Sequence, residues 1–551
     1  MLQRVLHARG VQGENELDYG LKRLLPPGGL SQIHDAAVLL AEAVTAGAKV
    51  TIVGDFDADG ATSCAVAIRC LKQMGLTEVD YLVPNRFEFG YGLSPEIVGV
   101  AAVQAPDILV TVDNGISSVD GVYAAQQLGM SVLVTDHHLP GEEIPSADVI
   151  VNPNLPGDRF ASKNLAGVGV IFYVMLAVRA ELRSQGWFQQ SGIQEPNMSQ
   201  FLDLVALGTV ADVVPLDHNN RILVQQGLHR IGQGDACPGI QALLTVAKRN
   251  SNRITATDLG FAVGPRLNAA GRLEDMSVGI ECLLSDSPDQ AMRLALQLDE
   301  LNQQRRVVEQ DMQQQAEQIV SALQIQEETQ PCAYVLSDEG WHQGVVGLVA
   351  SRIKERVNRP VIALAPGDNS EWKGSARSVE GVHIRDVLAL VDSRSPGLMK
   401  KFGGHAMAAG LSLDPAKLAE FTDQFVRCCE EMTRGKDWQQ VIWTDGELSG
   451  DELTLEVADT LRSATPWGQA FPEPVFEGDF IVLDSKVVGE RHLKLRLQLP
   501  QGGQPIDAIA FSFLDHHDTI PSGQIRAAYR LDTNEWQGRV STQLIIVHLE
   551  L

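Results

Sequence analysis

The stretch that decides the fold is an apolar run that leads into three closely spaced acids: Val50-Thr51-Ile52-Val53-Gly54-Asp55-Phe56-Asp57-Ala58-Asp59-Gly60. The apolar part is short, β-branched and uncharged, which is typical of a buried β-strand. If the acidic part remains extended, its three carboxylates project to one side, because alternate residues of a strand share a face. An Asp-rich turn would explain the same residues, so the stretch needs support from elsewhere in the chain.

Two further apolar runs of this kind also end in polar side chains. Residues 108–112 precede Asp113-Asn114-Gly115, and residues 132–135 precede Asp136-His137-His138. Segments with helical spacing, 61–74 and 117–128, separate the three runs, and each is followed by a glycine. From about residue 49 to residue 214 the pattern therefore predicts a parallel sheet with helices on its faces. The carboxyl ends of such strands meet at one edge of the sheet, where open parallel sheets bind ligands.

The polar strand ends predict a metal site. Clustered carboxylates repel one another unless cations neutralise them, so a metal-free edge is disfavoured. Asp212, inside the otherwise apolar run 207–215, is a fourth candidate, although a helix-capping role would also explain it. Oxygen ligands with one or two imidazoles favour Mg²⁺ or Mn²⁺ over structural zinc. Two such ions about 4 Å apart would suit chemistry at a phosphoryl centre.

The rest of the chain predicts a bridging helix and two further units. Residues 285–323 are rich in Gln, Glu, Leu and Arg and contain neither Gly nor Pro after Pro288, which predicts one long helix. Residues 332–429 form a second α/β block, and five alternating runs after residue 441 predict a small closed barrel of the OB type. The predicted domains are an N-terminal region (1–45), a catalytic α/β domain (46–215), a helical connector (216–330), a second α/β domain (331–435) and the barrel (436–551).

Composition and charge exclude several classes of protein. The 551 residues are 44% hydrophobic and 21% charged, which excludes a fibrous or mostly disordered chain. The net charge of −26 means that only local basic patches could hold a polyanion. The longest apolar stretch, 164–178, is too short to span a membrane and predicts a buried helix. No export signal is evident, and seven cysteines without a CxxC pair suit a reduced, cytoplasmic protein.

In their order and spacing, four motifs resemble those of the DHH phosphoesterase superfamily: residues 55–60, Asp113-Asn114-Gly115, Asp136-His137-His138 and Asp212. Gly403-Gly404-His405 with Ala408-Ala409-Gly410 is similar to the DHHA1 partner domain. Residues 84–86, 90–94 and 264–272, together with the barrel, narrow the resemblance to bacterial single-strand-specific 5′→3′ DNA exonucleases of this superfamily. The resemblance covers nearly the whole chain. It implies an α/β fold of two α/β domains (DHH and DHHA1) joined by a long helix, plus a C-terminal OB-type β-barrel.

The resemblance also implies roles for individual residues. The ligands of two Mn²⁺ or Mg²⁺ ions would be Asp57, Asp59, Asp113, His137 and Asp212, with Asp113 between the ions. Asp55, Asp136, His138 and His405 would be catalytic without being ligands, and the exact split of ligands among the neighbours in the two motifs remains open. The implied activity is hydrolysis of single-stranded DNA to mononucleotides in recombination and repair. The implied partners are a single-stranded DNA-binding protein and repair helicases, and the implied state is a monomer with no membrane contact.

An exonuclease must also hold a DNA end. Candidate contacts to DNA and its 5′-phosphate are Arg86, Arg266, Arg272, Ser375, Arg377, Gly403 and His405. A surface ion pair is the alternative for a lone arginine, but residues 248–272 carry five basic groups against one acid. Trp341, Phe89 and Tyr91 could each stack on a base, although core packing is the more common role. The second tripeptide of this type, Asp515-His516-His517, follows no strand-end acids and predicts a surface loop.

Two other functions fit parts of the sequence. An enzyme acting on very short oligonucleotides or cyclic dinucleotides would explain both α/β blocks but would leave the barrel without a role. A non-catalytic DNA-binding scaffold would explain the barrel, but it would not explain why every acid of the predicted metal site is present. The barrel and the acids together therefore favour the exonuclease.

Overall fold

The computed structural model describes residues 1–84, 92–326, 331–367, 371–436, 438, 441–489, 491–515, 517, 519–536 and 539–550. The chain forms two compact units. The first comprises Met1–Leu267, Met276–Leu296 and Ile442–Leu551, and the second comprises Asn268–Asp275 and Gln297–Val441. None of the described helices combines the length and the apolar character that a membrane span requires.

A five-stranded parallel sheet lies at the centre of the first unit. Its strands are β1 (Val50–Gly54), β2 (Val79–Leu82), β3 (Ile108–Val112), β4 (Ser131–Thr135) and β5 (Val149–Val151). The strand order is β2-β1-β3-β4-β5, so successive strands are added on one side of β1 and then on the other. Every residue of β1 and β3 is buried, which explains why both strands are continuously apolar. The predicted parallel α/β fold is confirmed.

The sequence predicts only three of these five strands. The two others are short: β2 has four residues and is partly exposed, and β5 has three. Runs of this length carry too little periodicity to be recognised in the sequence.

Helices pack around this sheet and continue beyond it. The predicted segments 61–74 and 117–128 correspond to α3 (Ala58–Met74) and α5 (Val119–Gln127), and most of the apolar stretch 164–178 lies in the buried first part of α6 (Gly167–Ser184). Up to residue 326, the α-helices are α1 (Leu2–Ala8), α2 (Ile33–Ala46), α3 (Ala58–Met74), α4 (Pro95–Ala102), α5 (Val119–Gln127), α6 (Gly167–Ser184), α7 (Trp187–Ser191), α8 (Leu202–Ala211), α9 (His218–Gly232), α10 (Pro238–Val246), α11 (Ala256–Asp258), α12 (Gly264–Leu273), α13 (Ser277–Leu284) and α14 (Pro288–Gln326). The last of these is the predicted long helix, and it continues into the second unit.

The second unit is built on a mixed five-stranded sheet. Its strands are β6 (Tyr334–Ser337), β7 (Val361–Pro366), β8 (Trp372–Arg377), β9 (Met399–Gly404) and β10 (Ala408–Leu413), in the order β6-β7-β8-β10-β9. β6 and β7 are parallel, and the other pairs are antiparallel. One face packs against α14 and α15 (Val346–Val357), and the other packs against α16 (Ile384–Arg394) and α17 (Leu418–Met432). This is the predicted second α/β block.

The C-terminal segment is a closed barrel, as predicted. It follows helix α18 (Leu455–Ser463), and its strands are β11 (Phe476–Val488), β12 (His492–Gln498), β13 (Ile506–Ala510), β14 (Gly523–Trp536) and β15 (Arg539–Glu550). Their order around the barrel is β11-β12-β13-β15-β14, and β14 pairs with β11 to close it. The alternation of buried and exposed side chains in β12 reflects one face toward the barrel interior.

The barrel and the segment that leads into it pack against the rest of the first unit. Arg9 forms an ion pair with Asp445 at 2.7 Å, and each side chain is only 8% exposed. Arg9 Nε also donates to the carbonyl of Pro472 at 2.7 Å, and the amide of Leu216 donates to the carbonyl of Gln469 at 2.8 Å. The segment that leads into the barrel is therefore held to the N-terminal part of the chain, and removal of one partner of the Arg9–Asp445 pair would leave a buried charge uncompensated.

Candidate active site

The candidate site begins at the point where the strand order of the first unit reverses. Asp55 follows β1 and Asp113 follows β3, and these two strands are neighbours in the sheet. Asn114 ties the two strand ends together, because its amide nitrogen donates to the carbonyls of Val53 and Val112 at 3.0 and 2.9 Å. A switch point of this kind leaves a crevice beyond the carboxyl ends of the strands, where α/β proteins bind ligands.

The strand-end side chains converge into three groups that could each hold a metal ion. Within a group, one ligand atom from each residue lies within 4.8 Å of the others. The groups are Asp55, Asp57 and Asp113; Asp59, His137 and Asp212; and Asp113, His137 and His138. Asp113 and His137 each belong to two groups, so the groups adjoin. All five predicted ligands lie in these groups. Asp55 and His138, which were not predicted as ligands, lie in them as well.

The imidazole of His137 lies between two carboxylates. Its Nε2 is 3.1 Å from Asp113 Oδ1 and 3.4 Å from Asp212 Oδ2. Asp212 follows directly after α8, which places its side chain at the end of that helix. Asp212 Oδ2 is buried and accepts no hydrogen bond from any described residue. A buried carboxylate oxygen beside an imidazole and a second carboxylate fits a site for a divalent cation.

Burial and mutual repulsion raise the pKa values of the central carboxyls. Burial raises the pKa of Asp113 well above its ordinary value, and the negative charges of Asp59 and Asp57 raise it further. The pKa of Asp212 is raised by the same causes. Burial, together with the charge of Asp57, also raises the pKa of Asp59 to about 7. Cations at this position would remove the repulsion that these shifts reflect.

Two of the acids are fixed in place by backbone amides. Asp57 caps α3, because its Oδ1 accepts hydrogen bonds from the amides of Asp59 and Gly60 at 2.9 and 3.0 Å. Asp59 in turn accepts from the first two amides of α6, Gly167 at 2.6 Å and Val168 at 2.9 Å. The carboxylates are therefore held in position by the helices that they cap.

A glycine allows α6 to approach the centre closely. A Cβ atom on Gly167 would lie 2.5 Å from Asp113 Cβ and 2.6 Å from its Oδ1. Asp113 itself has a positive φ of 62°, a conformation that Asp tolerates better than most residues. The sequence does not identify Gly167 as part of the site, because its only signal is a glycine at the start of a buried helix.

Asp136 holds its neighbours instead of joining a metal group. Its Oδ1 accepts from the amides of His137 and His138 at 2.7 and 3.1 Å, and lies 2.7 Å from His138 Nδ1. Its Oδ2 accepts from the amide of Ile116 at 2.9 Å. Burial acts to raise the pKa of Asp136, but its hydrogen bond to His138 and the charge of that ring keep it below its ordinary value. Burial acts to lower the pKa of His138, yet Asp136 raises it to about 8.

Two asparagines after β5 were missed in the sequence. Asn152 and Asn154 donate from their side-chain amides to the carbonyls of His138 and His137, at 2.9 and 2.6 Å. They fix the backbone of the strand-end histidines. The available signal is a polar pair directly after an apolar run, but that run has only three residues.

Ser375 and Arg377 form a polar pair on β8 in the second unit. Arg377 Nη1 donates to Ser375 Oγ at 2.8 Å. A Cβ on Gly347, at the start of α15, would lie 2.9 Å from Arg377 Nη2 and 3.1 Å from Ser375 Oγ. The guanidinium therefore lies beside the first turn of that helix, and burial lowers the pKa of Arg377.

The predicted glycine and histidine contacts lie on the neighbouring hairpin. Gly403 on β9 pairs with Gly410 on β10, and the amide of His405 donates to the carbonyl of Ala408 at 2.8 Å. Ala408 pairs directly with Arg377 on β8. The structure thus brings four predicted DNA-contact residues to one region of the second unit: Ser375, Arg377, Gly403 and His405.

The other predicted DNA-contact residues do not all lie in this region of the second unit. Arg272 lies in the second unit, where its Nη1 donates to the carbonyl of Gly344 at 3.2 Å. Arg266 lies in the first unit and donates to the carbonyl of Ala262 at 2.5 Å. Arg86, together with Phe89 and Tyr91, lies outside the described residues.

Packing decides between the two roles predicted for Trp341, and the structure describes part of the second tripeptide. Trp341 is 4% exposed and its Nε1 donates to Gln315 Oε1 at 2.7 Å, so the core alternative is confirmed and base stacking is wrong. In the second tripeptide, Asp515 ends a short 3₁₀ turn and the His517 ring stacks on Phe513 at 4.4 Å. His516 lies outside the described residues.

Three family models match this chain. The N-terminal domain of the DHH family matches residues 49–209, the DHHA1 domain matches residues 329–431, and the RecJ OB domain matches residues 444–548. The three matches follow the order of the parallel sheet, the mixed sheet and the barrel.

Known proteins are similar over the full length of the chain. A protein named single-stranded-DNA-specific exonuclease RecJ from Dickeya dadantii is 52% identical, over 100% of this chain and 96% of its own length. The protein of the same name from Escherichia coli is 51% identical, over 99% of this chain and 95% of its own. The crystal structure of RecJ in complex with Mn²⁺ from Thermus thermophilus is 30% identical with a TM-score of 0.80, and the match covers 100% of this chain and 75% of that one. The chain therefore belongs to the RecJ family.

Proposed function

We propose that this chain is a metal-dependent exonuclease that hydrolyses single-stranded DNA from its 5′ end to mononucleotides. The observation that carries the proposal is the convergence of three adjoining ligand groups at the switch point of the parallel sheet. The relatives carry the name single-stranded-DNA-specific exonuclease, and RecJ from Thermus thermophilus has been crystallised with Mn²⁺ and with Mg²⁺. Direction and product are inferred from the resemblance and from the phosphate-binding residues of the second unit.

The proposed ligands of the two ions are Asp57, Asp59, Asp113, His137 and Asp212. Asp113 would be the shared ligand, since it is the carboxylate that belongs to two of the three groups. Asp55 and His138 are further candidates on the same geometric ground. When bound, the ions polarise the phosphodiester and lower the pKa of the attacking water.

The protein's own contribution is to hold these groups still. Asp136 fixes the ring of His138 through the 2.7 Å contact with Nδ1. Asp57 and Asp59 are held by the amides of α3 and α6. A site whose ligands are already positioned loses little entropy when substrate and metal bind.

Each unit is proposed to contribute its own contacts to DNA. Ser375, Arg377, Gly403 and His405 would bind the 5′-phosphate, with Arg272, Arg266 and Arg86 along the strand. The OB-type barrel would hold the strand further from the end, as such barrels do through stacking and phosphate contacts. This use of the barrel disfavours a small-molecule substrate, and the complete set of acids disfavours a non-catalytic scaffold.

Finer assignments complete the proposal. The enzyme would act in recombination and repair in the cytoplasm, as a monomer, with a single-stranded DNA-binding protein and repair helicases as partners. The proposed domain bounds remain 46–215, 216–330, 331–435 and 436–551, after the N-terminal region 1–45.

One digestion experiment tests activity, direction and metal dependence together. Single strands labelled at the 5′ or the 3′ end are incubated with Mn²⁺, Mg²⁺ or chelator. We expect labelled mononucleotide at once from the 5′-labelled strand, a shortening ladder from the 3′-labelled strand, and no product with chelator. Immediate release of mononucleotide from the 3′-labelled strand would show that digestion starts at the 3′ end. Turnover in chelator would show that the activity does not require a metal ion.

The matched control removes an acid from the same unit but outside the site. Asp120 is exposed in the first turn of α5 and belongs to none of the metal groups. Asp120→Ala should digest both substrates as the wild type does. Loss of activity in this variant would mean that the assay responds to general damage of the first unit.

A further inference from the structure

The mixed sheet presents a polar face on β8, β10 and β9, and the described helices of its unit cover only part of this face. On this face α14 and α15 pack over β6 and β7, and the first turn of α15 also lies beside Ser375 and Arg377 of β8. By the alternation of strands, the residues of β8, β10 and β9 on the same side are Lys373, Ser375, Arg377, Ala408, Gly410, Ser412, Lys401 and Gly403. Their neighbours in sequence, such as Ala376, Leu411 and Phe402, pack into the core on the opposite side. We call this part of the sheet the open face.

Strand register arranges the open face in rows. Ser375 is opposite Gly410, which is opposite Gly403, and this row belongs to the proposed 5′-phosphate site. The next row holds Lys373 opposite Ser412, which is opposite Lys401. Two residues along a strand cover about 7 Å, so this basic row lies about 7 Å beyond Ser375.

The open face has room for a ligand. A Cβ on Gly403 would meet no atom within 4 Å, and one on Gly410 would meet only the carbonyl of Gly374 at 4.0 Å. Small residues thus line the path from the 5′-phosphate site to the basic row. Ser412, in the middle of that row, is 3% exposed between the two lysines.

The basic row carries a local excess of positive charge in a chain whose net charge is −26. Lys373 Nζ lies 3.4 Å from Glu371, and the same carboxylate receives Lys400 at 2.8 Å. Lys401 is exposed and forms no ion pair with a described residue. Among the described residues, Glu371 therefore offsets only one of the two ammonium groups that it contacts, and Lys401 adds a further positive charge to the row, which favours an anion at this position.

We infer that the basic row is a second phosphate subsite, one step along the open face from the 5′-phosphate site. The inference rests on the proposed function, because it takes Ser375 and Arg377 to hold the terminal phosphate. Its ligand is a further phosphoryl group of the same strand. That group is either the β- or γ-phosphate of a polyphosphorylated 5′ end or a backbone phosphate of the strand.

Binding in the presence of chelator tests the subsite without hydrolysis. The probes are ten-nucleotide thymidine strands with a 3′ fluorescein and a 5′-hydroxyl, 5′-monophosphate or 5′-triphosphate end, measured by anisotropy at low salt. Lys373→Ala/Lys401→Ala should weaken binding about three- to tenfold, a range set by exposed charge-assisted contacts. A loss confined to the triphosphate strand identifies the polyphosphate end as the ligand. An equal loss on all three strands identifies a backbone phosphate.

The matched control is Arg385→Ala/Lys417→Ala, which removes the same charge from exposed positions of the same unit. Arg385 lies on α16 and Lys417 directly before α17, the helices that pack on the opposite face. The subsite is refuted if the lysine variant binds all three strands like the wild type, or if the control weakens them as much. Arg377→Ala is measured in parallel: if it fails to reduce the preference for 5′-phosphate over 5′-hydroxyl, the proposed 5′-phosphate site fails instead.

Discussion

The metal centre of the first unit and the open face of the second differ in how their polar groups are held. At the metal centre Asp113, Asp59 and Asp136 are 1% exposed, and backbone amides or crowded glycines fix their positions. On the open face the glycines have free space and the lysines reach into solvent. Chemistry at a scissile bond requires fixed geometry, whereas capture of a strand requires charge and room. Substitutions should therefore act on turnover in the first region and on affinity in the second.

The largest effect is expected for Asp113→Asn. This variant keeps a residue that tolerates the positive φ and removes one charge from the cluster. Turnover with Mn²⁺ should fall about a thousandfold or more, since the shared ligand of two ions is lost. In chelator the variant should melt no lower than the wild type, because burial and like charges oppose ionisation of this carboxyl. Mn²⁺ should raise the melting temperature of the wild type more than that of the variant. Turnover near the wild-type rate by a folded variant would contradict the two-metal assignment.

On the open face, Arg377→Ala should separate end recognition from turnover. One charge-assisted contact to phosphate is worth about 1.5 to 3 kcal/mol, so the preference for a 5′-phosphate over a 5′-hydroxyl should drop about 10- to 100-fold. The measurement is kcat/KM on the two strands, with Arg385→Ala as the control. Equal losses on both strands would instead indicate a structural role for the guanidinium beside α15.

Asp136→Asn tests whether fixed geometry matters beyond the ligands themselves. The substitution retains one oxygen, which can still accept from the amides of His137 and His138, but it replaces the oxygen that accepts from Ile116 and removes the charge that holds His138. Removing a group that orients a ligand costs about 10- to 100-fold in metal affinity or activity. We expect the Mn²⁺ concentration for half-maximal activity to rise while the strand KM stays constant. A change in strand KM alone would place Asp136 on the substrate side.

Gly167→Ala should damage the buried region through packing alone. Its Cβ would lie within 2.8 Å of three atoms of Asp113, so α6 or the strand end must move. Overpacking of this kind costs about 1 to 3 kcal/mol of folding free energy. Urea unfolding gives the stability, and metal titration shows whether the carboxylates have shifted. A variant as stable and active as the wild type would mean that the centre is looser than its contacts indicate.

The smallest effect is expected for Gly403→Ala. Its Cβ meets no atom within 4 Å, so the free energy of unfolding should change by less than about 0.5 kcal/mol. The methyl group projects onto the open face and should lower affinity for a 5′-phosphorylated strand by no more than a few-fold. Comparison with Gly167→Ala in the same unfolding assay sharpens the contrast between the two regions. A large loss of stability would show that the open face is more closely packed than its free space suggests.

The sequence could predict the acids of the site but not the order of the strands that carry them. Asp55, Asp113 and Asp136 were identified because each follows a recognisable apolar run. β1 and β3 are neighbours in the sheet because β2, the strand between them in sequence, lies on the other side of β1. β2 has only four residues, so local periodicity does not identify it. The same limit explains why Asn152 and Asn154 were missed.

The sequence also could not predict side-chain positions that depend on contacts between residues far apart in the chain. Asp59 was predicted as a ligand, but its two hydrogen bonds to α6 bring together groups more than a hundred residues apart. Trp341 could not be assigned to the core until Gln315 of the long helix was placed beside it. The barrel was predicted from alternation within each strand, whereas its ion pair with Arg9 was not.

The ion pair between Arg9 and Asp445 has a consequence for synthesis of the chain. Its partners are 436 residues apart, and the whole second unit is made between them. At typical translation rates of about 5 to 20 residues per second, Asp445 is synthesised about 20 to 90 s after Arg9. The mixed sheet can therefore fold on the ribosome while the first unit is incomplete. Closure of the first unit becomes the last step of biogenesis, and a truncated nascent chain would carry a nearly finished metal centre without its barrel.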